Sequence, residues 1–128
     1  MADGPITVLL ADDDELFLES LRALIDRQPE LAVVAAAHNG VEALELADEL
    51  EPDAVVVDLH MPLLDGISTV SRLRRDHPSV CLIVLTGDSD SNLHRAAIDA
   101  GGDAVLEKHE IARALVDRLA DVRRPRTA

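Results

Sequence analysis

The stretch AVVVDLHMPLLDG, residues 54–66, decides the fold of this 128-residue chain. Its first four residues, Ala54 to Val57, are apolar without a polar break, and Asp58 follows at once. A strand with one wet face alternates apolar and polar residues. An unbroken run suits a strand covered on both faces, as in a parallel sheet layered with helices. Working outward, four more short apolar runs stand at Ile6 to Ala11, Leu31 to Ala37, Val80 to Leu85 and Ala104 to Leu106. The first, third and fourth of the five are almost continuously apolar.

Between the runs the apolar period changes to three or four residues. Leu16, Phe17, Ser20, Leu21, Leu24 and Ile25 repeat in this way, as do Val41, Leu44, Ala47 and Leu50. Ile67, Val70 and Leu73 follow the same spacing, then Leu93, Ala97 and Ala100, then Ile111, Leu115, Leu119 and Val122. Pro29, Pro52 and Pro78 each fall between a helical segment and a strand, where helix stops belong. Gly101 and Gly102 close the fourth helix as C-terminal glycines do. Strand and helix thus alternate five times. Parallel neighbours need a crossover, and each helix supplies one. The expected fold is a flavodoxin-like (βα)5 doubly wound parallel sheet, with strand order 2-1-3-4-5 chosen partly by analogy.

The length suits one domain over residues 1–128, with its core at about 6–122 and frayed ends at Met1 to Pro5 and Arg124 to Ala128. Aromatics make up 1% against 48% hydrophobic residues, so the core must be Val, Leu, Ile and Ala. A formal net charge of -13 excludes the basic stripe of a nucleic-acid surface and fits a protein that meets cations or basic patches. Arg123, Arg124 and Arg126 are expected only to complement a helix C-terminus. The single cysteine, Cys81, forms no internal disulfide and reads as a core residue. The five histidines lack zinc spacing. The start MADGPITVLL lacks the regions of a signal peptide, and no apolar stretch approaches a membrane span. A soluble cytoplasmic protein is expected, with no direct contact to nucleic acid or membrane.

In an open α/β sheet the ligand site lies beyond the carboxyl ends of the strands, near the switch in strand order. The residues just past the runs are Asp12, Asp13 and Asp14 after the first, Asp58 after the third, Thr86 after the fourth and Lys108 after the fifth. With the first and third strands adjacent, Asp12, Asp13 and Asp58 crowd one sheet edge, flanked by a hydroxyl and an ammonium. Gathered carboxylates repel one another and call for a counter-charge. Mg²⁺ takes hard oxygen ligands and needs few protein carboxylates. A carboxylate is also a nucleophile toward phosphorus, and phosphoryl transfer asks mainly for positioning and charge stabilisation. Asp14 reads as a helix N-cap with Glu15 favouring the helix dipole, Asp65 and Gly66 as the cap and turn into the third helix, and Met61 and Pro62 as loop-shaping residues.

The segment Asp58-Leu-His-Met-Pro-Leu-Leu-Asp-Gly66 resembles the signature of response-regulator receiver domains: an aspartate, two residues, Met-Pro, two residues, Asp-Gly. The acidic cluster after the first run, Thr86, and Lys108 at the end of Ala100-Gly-Gly-Asp-Ala-Val-Leu-Glu-Lys complete that family's set, and the resemblance spans about Ile6 to Val122. It implies that Asp58 is the phosphoacceptor, that Asp13 binds Mg²⁺ directly, that Asp12 acts mainly through a bound water, and that the His60 backbone carbonyl reaches the metal. Thr86 would hydrogen-bond the phosphoryl group, and Lys108 would pair with one of its oxygens. The donor would be a sensor histidine kinase or a phosphotransfer protein. The output would be a downstream protein target, a fused effector domain absent from this chain, or a phosphorylation-dependent homodimer. The molecule would be a switch that catalyses its own phosphorylation and dephosphorylation, not a turnover enzyme.

Two positions depart from the family pattern. Val105 stands where an aromatic usually couples phosphate to output, and His109 follows the lysine where proline is common. With Ala11-Asp-Asp-Asp-Glu-Leu16, the missing proline looks more like receivers that precede a helix-turn-helix effector. Asp88, two residues after Thr86, is placed to tune phosphate lifetime. The alternatives are a pseudo-receiver acting as an interaction or dimerisation module, and a small phosphatase with an aspartyl nucleophile. The second lacks the acid two residues after the nucleophile, where His60 stands.

Overall fold

The computed structural model describes residues 4–87 and 90–122. Five strands alternate with five helices: β1 (Ile6–Ala11), α1 (Glu15–Asp26), β2 (Leu31–Ala37), α2 (Gly40–Leu50), β3 (Ala54–Asp58), α3 (Gly66–Asp76), β4 (Cys81–Thr86), α4 (Ser91–Ala100), β5 (Ala104–Glu107) and α5 (Ile111–Ala120). A short 3₁₀ turn, Lys108–Glu110, joins β5 to α5. All strand pairs are parallel, as the apolar runs predict, and the order is β2-β1-β3-β4-β5, the one expected partly by analogy.

The unbroken runs have a direct structural reason. Alternate residues of the three central strands enter different cores. Val8 and Leu10, Ala54 and Val56, and Ile83 and Leu85 pack with Leu18, Leu21 and Ile25 of α1 and Leu115 and Leu119 of α5. Leu9, Val55 and Val57, and Leu82 and Val84 pack with Ala47 of α2, Val70 and Leu73 of α3 and Ala97 of α4. Both phases of each strand are covered, so neither can be polar.

The helix stripes differ in detail from the spacing-based expectation. Leu16, at the first turn of α1, is 75% exposed, and Leu18 is buried in its place. Val41 and Leu50 at the two ends of α2 are also exposed, while Ala43 and Ala47 are buried. End residues satisfy a period without facing the sheet. Asp14 and Asp65 cap α1 and α3 as read from the sequence, and Asn39 and Asp90 do the same for α2 and α4. Gly101 ends α4 at φ 125°, a backbone open to glycine at little cost. Cys81 is half-buried against the α1/α5 core. Among the described residues, no helix is long and apolar enough to cross a membrane. The expectations for Asp88, for Arg123, Arg124 and Arg126, and for the fraying of 1–3 and 124–128 lie outside the described residues.

Candidate functional site

The strand order turns back between β1 and β3: the chain runs outward from β1 to β2, then returns to β3 on the other side. The carboxyl ends of these two neighbours present Asp12 and Asp58. Carboxylate oxygens of Asp12, Asp13 and Asp58 lie within 4.8 Å of one another. Asp12 and Asp58 are buried and Asp13 is exposed, so the group opens to solvent on one side only.

Local hydrogen bonds fix this arrangement. The Asp12 amide donates to Ala37 O at the end of β2, at 3.0 Å. Asp12 Oδ1 accepts the Asp14 amide at 2.9 Å, and Asp14 Oδ1 accepts the amides of Leu16 and Phe17. The first buried carboxylate is thus tied to the cap of α1. Beyond β3, the Leu59 amide donates to Leu85 O and the Gly66 amide to Leu59 O, both at 3.0 Å, which draws the start of α3 against the strand end.

Lys108 reaches in from the end of β5. Its Nζ lies 2.9 Å from Asp12 Oδ2 and 3.4 Å from Asp58 Oδ2, and its side chain is 27% exposed. The same Nζ sits 4.3 Å from the centroid of the Phe17 ring. Thr86, the last residue of β4, is fully buried. His60 is exposed, and its backbone favours the charged form of the Asp58 carboxyl.

Three carboxylates against one ammonium leave two negative charges over. Unit charges about 4 Å apart interact by roughly 4 kcal/mol at an effective dielectric near 20, so one lysine does not balance the group. Burial, and next the charge of Asp12, push the Asp58 carboxyl above its ordinary range, against the pull of Lys108 and the His60 backbone. For Lys108, burial acts downward, but the hydrogen bond to Asp12 and the charges of Asp58 and Asp12 outweigh it and hold the ammonium protonated. Asp58 Oδ1 is buried without a hydrogen-bond partner among the described residues. A buried anionic oxygen with no donor, inside an all-oxygen set carrying excess negative charge, has the chemistry of a hard divalent cation site.

The sequence-derived residues Asp12, Asp13, Asp58 and Lys108 therefore meet, with Thr86 at the neighbouring strand end. Phe17 was legible only as a member of a helix stripe. Its contact spans 91 residues of sequence (17 to 108), and no periodicity signals it. A groove of about 550 Å³ lies away from the carboxylates and is lined by Arg74, Cys81, Asp103 and Arg118 among others. Arg74 is committed there to Gly101 O, Pro78 O, Val80 O and Asp103 Oδ2, which marks a structural clamp.

A family model, the response regulator receiver domain, matches residues 8–120. The chain belongs to that family. It is 36% identical over 117 residues to the transcriptional regulatory protein LnrK of Bacillus subtilis (strain 168), which covers 91% of this chain and 53% of LnrK. It is 39% identical over 106 residues to protein-glutamate methylesterase/protein-glutamine glutaminase 2 of Anaeromyxobacter dehalogenans (strain 2CP-C), covering 83% of this chain and 31% of that protein. The receiver thus spans about half or less of these relatives. Among solved structures, the response regulator domain of Thermotoga maritima CheB superposes with a TM-score of 0.87 at 25% identity, covering 96% of this chain and 99% of that one. The chain is a response-regulator receiver domain of two-component signalling, with the flavodoxin-like fold of its relatives.

Proposed function

We propose that this receiver accepts a phosphoryl group on Asp58 and uses it to switch binding to a partner. The observation that carries the reading is a buried Asp58 at the strand-order turn, with Lys108 Nζ 3.4 Å away and Oδ1 unpartnered. An Asp58 carboxylate oxygen attacks the phosphorus of a phosphohistidine on a sensor kinase or phosphotransfer protein. The O–P bond forms as the N–P bond breaks, and the imidazole leaves with the electron pair, giving an acyl phosphate. Lys108 moves its pairing from Asp58 to a phosphoryl oxygen, and the Thr86 hydroxyl donates to another. Water attack on the phosphorus, with the Asp58 carboxylate leaving, resets the switch.

Asp13, Asp12, Asp58 and the backbone carbonyl of His60 would hold Mg²⁺. When bound, the ion supplies charge neutralisation for the carboxylates and the transferring group. The chain's own contribution is to bury Asp58, hold Lys108 protonated between two carboxylates, and set Thr86 beside them. The methylesterase and transcriptional-regulator names belong to longer proteins, and the output of this receiver is a target or an effector domain of that kind.

The test is intact mass after incubation with acetyl phosphate, with and without Mg²⁺, beside Asp58→Asn. A metal-dependent gain of one phosphoryl group, lost in the variant, is the expected result. No gain by the folded protein under any condition, nor from a phosphorylated kinase or phosphotransfer protein, overturns the reading in favour of a constitutive interaction module. Val105, half-buried at the position where the family pattern often has an aromatic, is the feature such a module would exploit.

A further inference from the structure

Phe17 is the single phenylalanine of a chain with no tryptophan or tyrosine, and its ring face carries the functional lysine. The contact closes a cycle of four residues. Asp12 Oδ1 accepts the Asp14 amide, Asp14 Oδ1 accepts the Phe17 amide at 3.3 Å, the Phe17 ring lies 4.3 Å from Lys108 Nζ, and Lys108 Nζ returns to Asp12 Oδ2 at 2.9 Å. The backbone bonds that set the entry of α1 also set where the ring stands. From below, Phe17 packs against the core shared by β1, α1 and α5, so the ring has a firm seat.

The chemistry of lysine explains what such a ring supplies. An ammonium on a flexible four-carbon stem is a mobile point charge, and ordering it costs side-chain entropy. Two carboxylates alone would draw Lys108 deep into their pocket. A third acid would fix it, yet would compete with the incoming phosphoryl group. An aromatic face attracts the cation through its quadrupole and brings no net charge of its own. It also covers one side of the ammonium without offering a hydrogen-bond acceptor. Leucine at this position would fill similar space and offer no such attraction.

We infer that Phe17 is a positioning residue, whose ring face holds the Lys108 ammonium between Asp12 and Asp58 and presents it to the phosphoryl group. The inference rests on the phosphoacceptor reading for its kinetic consequence, but not for the placement itself. The measurements compare wild type, Phe17→Leu and Phe17→Tyr. Side-chain proton resonances of Lys108 are assigned by NMR, and the rate of phosphorylation by acetyl phosphate with Mg²⁺ is followed by intact mass. The expected result is an upfield ring-current shift of the Lys108 ε-protons in wild type and Phe17→Tyr, absent in Phe17→Leu. With it comes a rate about three- to tenfold slower in Phe17→Leu, restored by the tyrosine. Cooperative thermal unfolding of all three proteins keeps the comparison meaningful, and a Phe17→Leu that fails to fold is replaced by Phe17→Met. Wild-type rates in a folded Phe17→Leu overturn the inference, as does a tyrosine variant as slow as the leucine. Should wild type take no phosphoryl group at all, the phosphoacceptor reading falls separately. The ring-current shift then decides alone, and its absence from wild type overturns the placement.

Discussion

At the scale of single residues, the loop between β3 and α3 holds two opposite backbone demands. Leu63 has φ 71° and is 79% exposed. A non-glycine residue in the left-handed region pays about 1–2 kcal/mol, and this side chain recovers little of it by burial. Glycine there removes the strain and costs about 0.5–1 kcal/mol of unfolded-chain entropy. Leu63→Gly should therefore stabilise the domain by about 0.5–1 kcal/mol, read as a higher urea midpoint at an unchanged m-value. A lower midpoint would show that the side chain packs in solution. Gly66 is the reverse case. A Cβ there would meet the Leu59 backbone and stand 2.7 Å from Asp58 O, and backbone cannot yield as a flexible side chain can. Gly66→Ala should cost about 1–3 kcal/mol by the same measurement, because α3 must back away from the end of β3. The Asp-Gly pair was readable in the sequence as a cap and turn. The closeness of α3 to Asp58 that makes the glycine necessary was not, since it arises only when strand and helix are packed.

At the scale of elements, the five apolar runs, the helical periods and the Pro and Gly stops located the strands and helices, and in the three central strands burial on both sheet faces writes itself into consecutive residues. The ends of the helices were less legible. Leu16 and Val41 keep the period of their stripes but sit at first turns, beyond the reach of the sheet. Side-chain links between elements left no pattern at all. His38, just after β2, places Nε2 2.8 Å from Glu15 on α1 and Nδ1 3.3 Å from Glu42 on α2. The hydrogen bond to Glu42 is the largest influence and raises the His38 pKa above its ordinary 6.5; burial pulls the other way, and the bond and charge of Glu15 add to the rise. A raised histidine pKa means that the charged form is favoured by folding. The stabilisation is full below 6.5 and disappears as the pH rises through the folded value. The stability of wild type over His38→Gln should thus be larger at about pH 5.5 than at about pH 8.5, by urea unfolding. NMR titration of the imidazole should return a pKa above the ordinary value, reduced in Glu42→Gln. A titration at or below that value would show the two links to be absent in solution.

For the molecule as a whole, the site is a local liability carried by an otherwise apolar double core. The sequence revealed its members because acidic residues at strand ends stand out against Val, Leu and Ala. It could not reveal that Asp58 would be left with an unpartnered oxygen, which depends on how five strand ends converge. The stability consequence has a definite sign. Burial and the charge of Asp12 raise the Asp58 pKa above 3.8, so the folded state binds its proton more tightly than the unfolded chain does. As pH rises from 3.8 through the folded value, stability falls, and above that window the full penalty remains. Removing the charge removes the penalty. In metal-free buffer at neutral pH, Asp58→Asn should melt higher than wild type, by about 1 kcal/mol or roughly 5 °C. Adding Mg²⁺ should raise the wild-type Tm progressively, as any ligand that prefers the folded state does. The variant, short of one ligand charge, should respond much less, so the order of the two melting temperatures narrows or reverses at saturating metal. Equal Tm values without metal would mean that Lys108 already neutralises Asp58 completely. A variant that responds to Mg²⁺ as fully as wild type would remove Asp58 from the cation site.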